Sequence, residues 1–317
     1  MDAGSARTIV VGVDGSRTGE SAVVWAARWG LPADARLQLV HCVEESRAGG
    51  GRFPPARRAA VAAGRQALAT AAELARQADA SRTLVEEFSW HSPRVELLPA
   101  AGAADLVVVG TRGRRKDAPL FGSTARYLAD HSAVPVAFVP VGAEEPTGAP
   151  GVTVGLDGSP ASEEAVTIAA RYAAAAGAVL ELVGIVSLEA PGVPTRPGNY
   201  VHRLEAAERH RVDQVDAALA RIAATHPGLV TRTRIVEGAF ASDALLQGWS
   251  RTDGSEGCGL VVTGHRGRGA FLSALFGSTT TTLVRRCPVP LIVVPAPVPA
   301  VLPDAVAEEG ERSTARS

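Results

Sequence analysis

Short, continuously apolar runs punctuate the chain: Ile9-Val10-Val11, Leu106-Val107-Val108-Val109, Val136-Ala137-Phe138-Val139, Leu260-Val261-Val262 and Leu291-Ile292-Val293-Val294. Runs of this length without polar alternation fit strands covered on both faces. Between them lie longer stretches in which apolar residues recur at helical spacing, such as Ala22, Trp25, Ala26 and Trp29 within Arg17–Trp29. In the first half the pattern predicts a strand ending at Asp14, a helix over Arg17–Trp29, and a strand over Arg36–Val43. A polar loop over Ser46–Arg57 and an Ala-rich helix over Arg58–Ala78 follow. A strand over Leu84–Phe88 and a short helix over Ser92–Ala101 come next, with Pro93 in the first turn. A strand over Leu106–Val109, a glycine-containing loop, a helix over Ser123–His131 and a strand over Val136–Val139 complete the half. Strands alternating with helices imply α/β architecture, with a parallel sheet and right-handed crossovers.

The same pattern is written twice. Ile9-Val10-Val11-Gly12-Val13-Asp14-Gly15-Ser16 returns as Val152-Thr153-Val154-Gly155-Leu156-Asp157-Gly158-Ser159. Leu106–Gly110 returns as Leu260–Gly264, and Val134–Pro140 as Val289–Pro295. Three landmarks in the same order mark a tandem duplication, each copy the size of an ordinary domain. The domains are read as 1–143 and 151–296, joined by a linker near Glu144–Pro150. The second copy carries a Pro- and Gly-rich loop after Ser187 and an insertion around Thr252–Gly257. Residues 297–317 have no apolar period and read as a disordered tail.

Composition narrows the class. A hydrophobic fraction of 46% and a charged fraction of 21% fit a globular protein with sizeable cores. The formal net charge of −1 gives no global attraction to nucleic acid or an anionic membrane. With only 4% aromatic residues, a nucleic-acid partner is disfavoured. No apolar run approaches the roughly 20 residues of a membrane span, and the N-terminus lacks a secretory h-region, so the expected location is cytoplasmic. Cys42, Cys258 and Cys287 include no C-x-x-C pair, which argues against a disulfide framework or a zinc site.

The densest candidate chemistry lies after the apolar run Leu260–Thr263. Gly264 and Gly267 stand at the strand's end, and Gly277-Ser278-Thr279 opens the next helix. The spacing is Gly, two residues, Gly, nine residues, Gly-Ser. Glycine lets backbone approach a ligand closely, and a helix N-terminus presents N–H groups and a positive dipole end to phosphate. With the preceding strand and the repeat, this stretch closely resembles the phosphate- and ribose-binding signature of the ATP-binding branch of the universal stress protein family. The resemblance covers nearly all of residues 7–141 and 151–296 in a tandem two-domain form. It implies two Rossmann-like five-stranded domains with strand order 3-2-1-4-5, paired as an intramolecular pseudo-dimer, with a homodimer also possible. The Val-Pro-rich fifth strands are sheet edges that need covering, and so are the expected contact.

The resemblance also implies site residues, one position at a time. The aspartate after strand one matches Asp157, followed by Gly158, and Asp14 in the first copy. The strand-two residue whose backbone reads adenine matches Ile185, and Cys42 in the first copy. The phosphate and ribose loop matches Gly264, Gly267, Gly277, Ser278 and Thr279, with Arg266 inside it; in the first copy it matches Gly110, Gly113, Gly122 and Ser123. Only eight residues separate Gly113 from Gly122, and Pro119 stiffens the loop, so the second copy is expected to be the firmer ATP site. The implied cofactor is ATP with Mg2+.

The residues themselves leave alternatives open. An Asp-Gly-Ser stretch is ordinary turn chemistry as well as a candidate ligand contact. Arg266 and Arg268 suit bidentate phosphate contact, solvent or a dimer interface. Arg112, Arg114, Arg115 and Lys116 could attract phosphate or form a solvated loop. His41 is read as packing at the end of strand two, His265 as incidental, and the tryptophans as core or interface filler. No P-loop, no G-x-G-x-x-G after strand one and no G-x-S-x-G elbow appears. No general base is placed to activate water, so any ATP hydrolysis is expected to be slow and incidental. The reading is a nucleotide-binding stress-response regulator with an unidentified protein partner. The competing readings are an interaction scaffold with decayed sites, and an enzyme acting on an adenylated substrate.

Overall fold

The computed structural model describes residues 7–43, 54–102, 104–112, 122–143, 151–186, 200–237, 240–247, 258–265 and 278–296. The first half runs β1 (Thr8–Gly12), α1 (Arg17–Trp29), β2 (Arg36–Cys42), α2 (Pro54–Ala78), β3 (Leu84–Ser89), α3 (Pro93–Gly102), β4 (Leu106–Gly110), α4 (Ser123–His131) and β5 (Val136–Val139). The second runs β6 (Gly151–Leu156), α5 (Pro160–Ala176), β7 (Leu180–Val186), α6 (Tyr200–Thr225), β8 (Thr231–Glu237), α7 (Ala241–Gln247), β9 (Cys258–Gly264), α8 (Ser278–Arg286) and β10 (Leu291–Val294). Two expected boundaries are corrected. Helix α2 starts at Pro54 rather than Arg58, because proline is at home in a first helical turn, where its missing N–H has no partner to lose. Strand β1 stops at Gly12, two residues before Asp14, where the chain turns towards α1. The linker near 144–150, the insertion around 252–257, the loop after Ser187 and the 297–317 tail lie outside the described residues.

The ten strands form one sheet in the order β3-β2-β1-β4-β5-β10-β9-β6-β7-β8. Read inward from its own outer edge, each half has the expected order 3-2-1-4-5. Pairing within each half is parallel. The halves meet where β5 pairs antiparallel with β10, Ala137 opposite Ile292. The fifth strands thus cover each other's edges. The outer edges, β3 and β8, carry Glu86, Glu87, Arg232, Arg234 and Glu237. Charge on an edge opposes further strand addition.

Strand alternation sends side chains to two layers. Ile9, Val11, Leu37, Leu39, Val152, Val154, Leu180 and Leu182 pack with α1, α2, α5 and α6. Val10, Val40, Val107, Phe138, Val183, Val261 and Leu291 pack on the opposite face with α3, α4, α7 and α8. Each layer runs across the β5–β10 seam. Tyr172 of α5 stacks on Trp25 of α1 with ring centroids 6.1 Å apart, and its hydroxyl accepts from Leu31 N–H at 3.3 Å. Trp25 and Trp29 therefore belong to the core layer, as expected of them. Trp249 lies outside the described residues.

Candidate functional site

Each half begins its site with the same turn. Gly15 and Gly158 adopt φ of 72° and 73°, the left-handed region that a Cβ disfavours. The preceding carboxylate closes the turn: Asp14 Oδ1 accepts from Ser16 N–H at 2.9 Å, and Asp157 Oδ1 from Ser159 N–H at 2.9 Å. The serines then cap the helices. Ser16 Oγ accepts from Gly19 N–H at 3.1 Å, and Ser159 Oγ from Ser162 N–H at 3.2 Å. The turn-forming reading of both aspartates is therefore realised. It pins each carboxylate at the carboxyl end of its half's first strand, where ligands bind in open parallel sheets.

The fourth strands of the halves end beside these turns. A Cβ on Gly110 would lie 2.7 Å from Thr18, and one on Gly264 3.0 Å from Ala161. Both glycines let the N-terminal turn of the first helix approach the fourth strand, a packing role additional to any ligand role. In the first half, the Thr18 hydroxyl donates to Arg112 O, tying the start of the glycine loop to α1. Gly122 N–H donates to Thr111 O at 3.1 Å, and Gly122 caps α4 with extended backbone and no side-chain hydrogen bond. Ser123 is exposed at the first residue of that helix. In the second half, His265 is buried; its N–H donates to Val294 O at 2.7 Å, and its carbonyl accepts from Thr280 Oγ1 at 3.2 Å. Thr279 is half-buried in the first turn of α8, which Ser278 opens. Gly113, Arg114, Arg115, Lys116, Arg266, Gly267, Arg268 and Gly277 lie outside the described residues.

The second strands end differently. In the first half, His41 is buried and stacks on Phe88; its Nδ1 is 2.8 Å from Val13 O. Its packing role is as expected. Space for the imidazole comes from Gly64 of α2, where a Cβ would lie 2.5 Å from Phe88 and 2.7 Å from His41. In the second half, Gly184 stands where His41 stood, and Arg211 of α6 stands where Gly64 stood. Gly64 and Arg211 each lie fourteen residues before the end of their helix, 78 − 64 and 225 − 211. Arg211 is 4% exposed. Its NH1 donates to Leu156 O at 3.0 Å and its Nε to Ile185 O at 3.0 Å. The carbonyl at the carboxyl end of the first strand is thus bonded in both halves, from β2 in one and from α6 in the other. Sequence reasoning missed Arg211, Gln214 and Thr18. The one available signal was that Gly184 replaces His41 in the repeat.

The rest of this end differs in charge. Cys42 borders a carboxylate group in which Glu96 Oε2 receives Ser89 Oγ at 2.6 Å and lies 2.9 Å from His91 Nδ1. Those bonds hold Glu96 below the usual carboxylate range. Burial, helped by Glu96 and Glu87, pushes the Cys42 thiol up to about 12. That thiol stays protonated and is no nucleophile near neutral pH. In the second half, Arg234 instead spans Glu181, with Nε to Oε1 at 3.2 Å, and Ala244 O, at 2.8 Å from NH2.

Sheet order, turns and helix starts define a duplicated parallel α/β protein with a candidate ligand crevice where the first and fourth strands of each half diverge. The profile of the universal stress protein family matches residues 5–140 and 151–295, and the chain belongs to that family. It is 30% identical over 299 residues to a universal stress protein of Mycobacterium tuberculosis, covering 90% of this chain and 96% of that one. A universal stress protein of Mycolicibacterium smegmatis is 28% identical over 296 residues, covering 90% and 96%. Among solved structures, a universal stress protein from Archaeoglobus fulgidus matches with a TM-score of 0.64 at 16% identity, over 91% of this chain and 98% of that one. That likeness bears on the fold.

Proposed function

We propose that the protein binds an adenine nucleotide, ATP with Mg2+, at the carboxyl ends of its strands, and acts as a cytoplasmic stress-response regulator. The observation that carries this reading is the start of α4. Its cap is a glycine, Gly122, which has no side chain to occupy the first-turn N–H groups, and its own N–H bonds Thr111 O at 3.1 Å, so the helix opens beside the end of β4. Such a helix start suits an anion. The second half repeats the arrangement in sequence with the full nine-residue spacer before Gly277-Ser278. The phosphates would meet the glycine loops and the starts of α4 or α8, and the base would meet the strand-two ends at Cys42 or Ile185. Asp14 and Asp157 would stand beside the ribose. Among the described residues, no group of three or more His, Cys, Asp or Glu side chains could hold a metal. Mg2+ would be held chiefly by the phosphates, as it is at many nucleotide sites. Among the described residues, no helix is long and apolar enough to cross a membrane.

Bound nucleotide would change the surface offered to a protein partner. Titration calorimetry with ATP and Mg2+, on the parent protein and on Gly277→Val, tests this. About one ATP per chain, lost in the variant, assigns the working site to the second half. About two per chain means the short first loop also functions. No binding by nucleotide-free protein sinks the reading and leaves the interaction scaffold in its place.

A further inference from the structure

Three residues of α6 close over the strand ends of the second half, and their counterparts on α2 are all small. His210, Arg211 and Gln214 stand where α2 has Ala63, Gly64 and Ala67. Arg211 NH1 donates to Gln214 Oε1 at 2.6 Å, and the Gln214 amide lies 3.0 Å from His210 Nε2. Gln214 also covers the turn: a Cβ on Gly158 would lie 2.1 Å from its Nε2. In the first half the same place is an open groove of about 270 Å3, lined by Val13, Gly15, Ala63 and Ala67 among others.

We propose that Arg211 is a specificity-determining residue of the second half, competing with the base of a bound nucleotide for Ile185 O. The inference rests on the nucleotide reading above and deepens it. A base carrying an exocyclic amine, as adenine does, donates that amine to an acceptor. At Ile185 the acceptor already receives Nε of a buried guanidinium. A charged donor holds a carbonyl more strongly than a neutral amine does. Ile185 O has a second lone pair, so adenine's amine either shares the oxygen with the charged Arg211 donor on weakened terms or displaces it, and the chain Arg211–Gln214–His210 holds that side chain in place. In the first half, His41 serves Val13 O from within the strand, and Gly64 brings no donor to Cys42 O. The two halves then differ in opposite senses: the second has the full loop spacing and an occupied base acceptor, the first a short loop and, in Gly64, no helix side chain to reach its strand-two end.

The test rebuilds the first-half pair in the second half. In the double variant Gly184→His/Arg211→Gly, the imidazole takes over Leu156 O and leaves Ile185 O to the ligand. Arg211→Met is the companion variant, filling similar space without donors, and it carries the test if thermal melting shows the double variant unfolded. Calorimetry is run with ATP and with inosine triphosphate, which lacks the exocyclic amine, each with Mg2+. The expected result is ATP binding tightened about tenfold, the scale of one hydrogen bond to a charged group. Inosine triphosphate binding stays unchanged, and adding Gly277→Val abolishes the gain. Equal tightening of both nucleotides overturns the competition, since it would reflect space rather than the carbonyl. Unchanged or weaker ATP binding overturns it too, making Arg211 a scaffold or a nucleotide contact. No binding of either nucleotide by any form, the parent included, fails the nucleotide reading itself and the inference with it.

Discussion

The two halves of this chain solve the same backbone problem with different side chains. The carbonyl at the end of the first strand, Val13 O just past β1 or Leu156 O in the last residue of β6, is bonded in both. One half uses an imidazole from the neighbouring strand over a helix glycine. The other uses a guanidinium from the helix over a strand glycine. The first helices end differently as well. Helix α5 closes on Gly177 at φ 60°, in a left-handed cap. Helix α1 stops a turn earlier at Gly30, in extended conformation, and Arg82 gathers the carbonyls left there: NH2 to Gly30 O at 2.6 Å, Nε to Ala27 O at 2.9 Å, NH1 to Ala33 O at 2.7 Å. Buried backbone groups must be bonded, and which residue bonds them is negotiable.

The comparison breaks most sharply at Arg82, whose repeat counterpart Leu229 bonds no carbonyl through its side chain. Arg82→Ala should destabilise the protein by about 3 kcal/mol, because it leaves several buried carbonyls without their charged donor. Urea unfolding measures this; a loss below ~1 kcal/mol would mean that water replaces the guanidinium easily.

A smaller effect is expected from crossing the two pairs. Gly64→Arg alone forces a long side chain against His41 and Phe88 and should cost about 2 kcal/mol by overpacking. His41→Gly/Gly64→Arg recreates the second-half pair and should recover most of that loss. A double-mutant cycle reads the coupling, and simple additivity would show that the positions do not exchange roles.

The smallest effect separates the halves by pH. Glu96 is held below its ordinary value of 4.5 by Ser89 and His91; Leu97 faces Gly12 as Leu245 faces Gly155, so the residue in the place of Glu96 is Ala244. A carboxyl depressed in the folded state contributes stability that is complete above its unfolded value and is lost as pH falls through the folded one. Glu96 is partly solvated, so its contribution stays below ~1 kcal/mol. As pH drops below about 4.5, amide exchange should rise in β3 and α3 before β8 and α7. Simultaneous loosening of both halves would remove Glu96 as the cause.

Much of the architecture is legible along the chain. The apolar runs locate strands, the helical spacing of Ala22, Trp25, Ala26 and Trp29 locates α1, and Ile9–Ser16 against Val152–Ser159 reveals the duplication. The Asp-Gly-Ser turns are legible too, because left-handed glycine, Asx turn and serine cap are chemistry within a few residues of each other. The start of α2 is less so, since Pro54 and Pro55 fit a loop and a first helical turn alike.

What the sequence determined alone, then, was whatever depends on near neighbours: the order of elements, the repeat, the turns and the glycine spacing. The tertiary structure decided which distant group reaches each buried carbonyl. Gly184 and Arg211 are separated by 26 intervening residues, and His41 and Gly64 by 22. Whether they meet depends on how α2 and α6 are rotated over the sheet, and one residue of shift turns a helix by about 100°. No local pattern encodes that rotation; packing of the whole layer sets it. The open groove of one half and the guanidinium-covered strand end of the other follow from it.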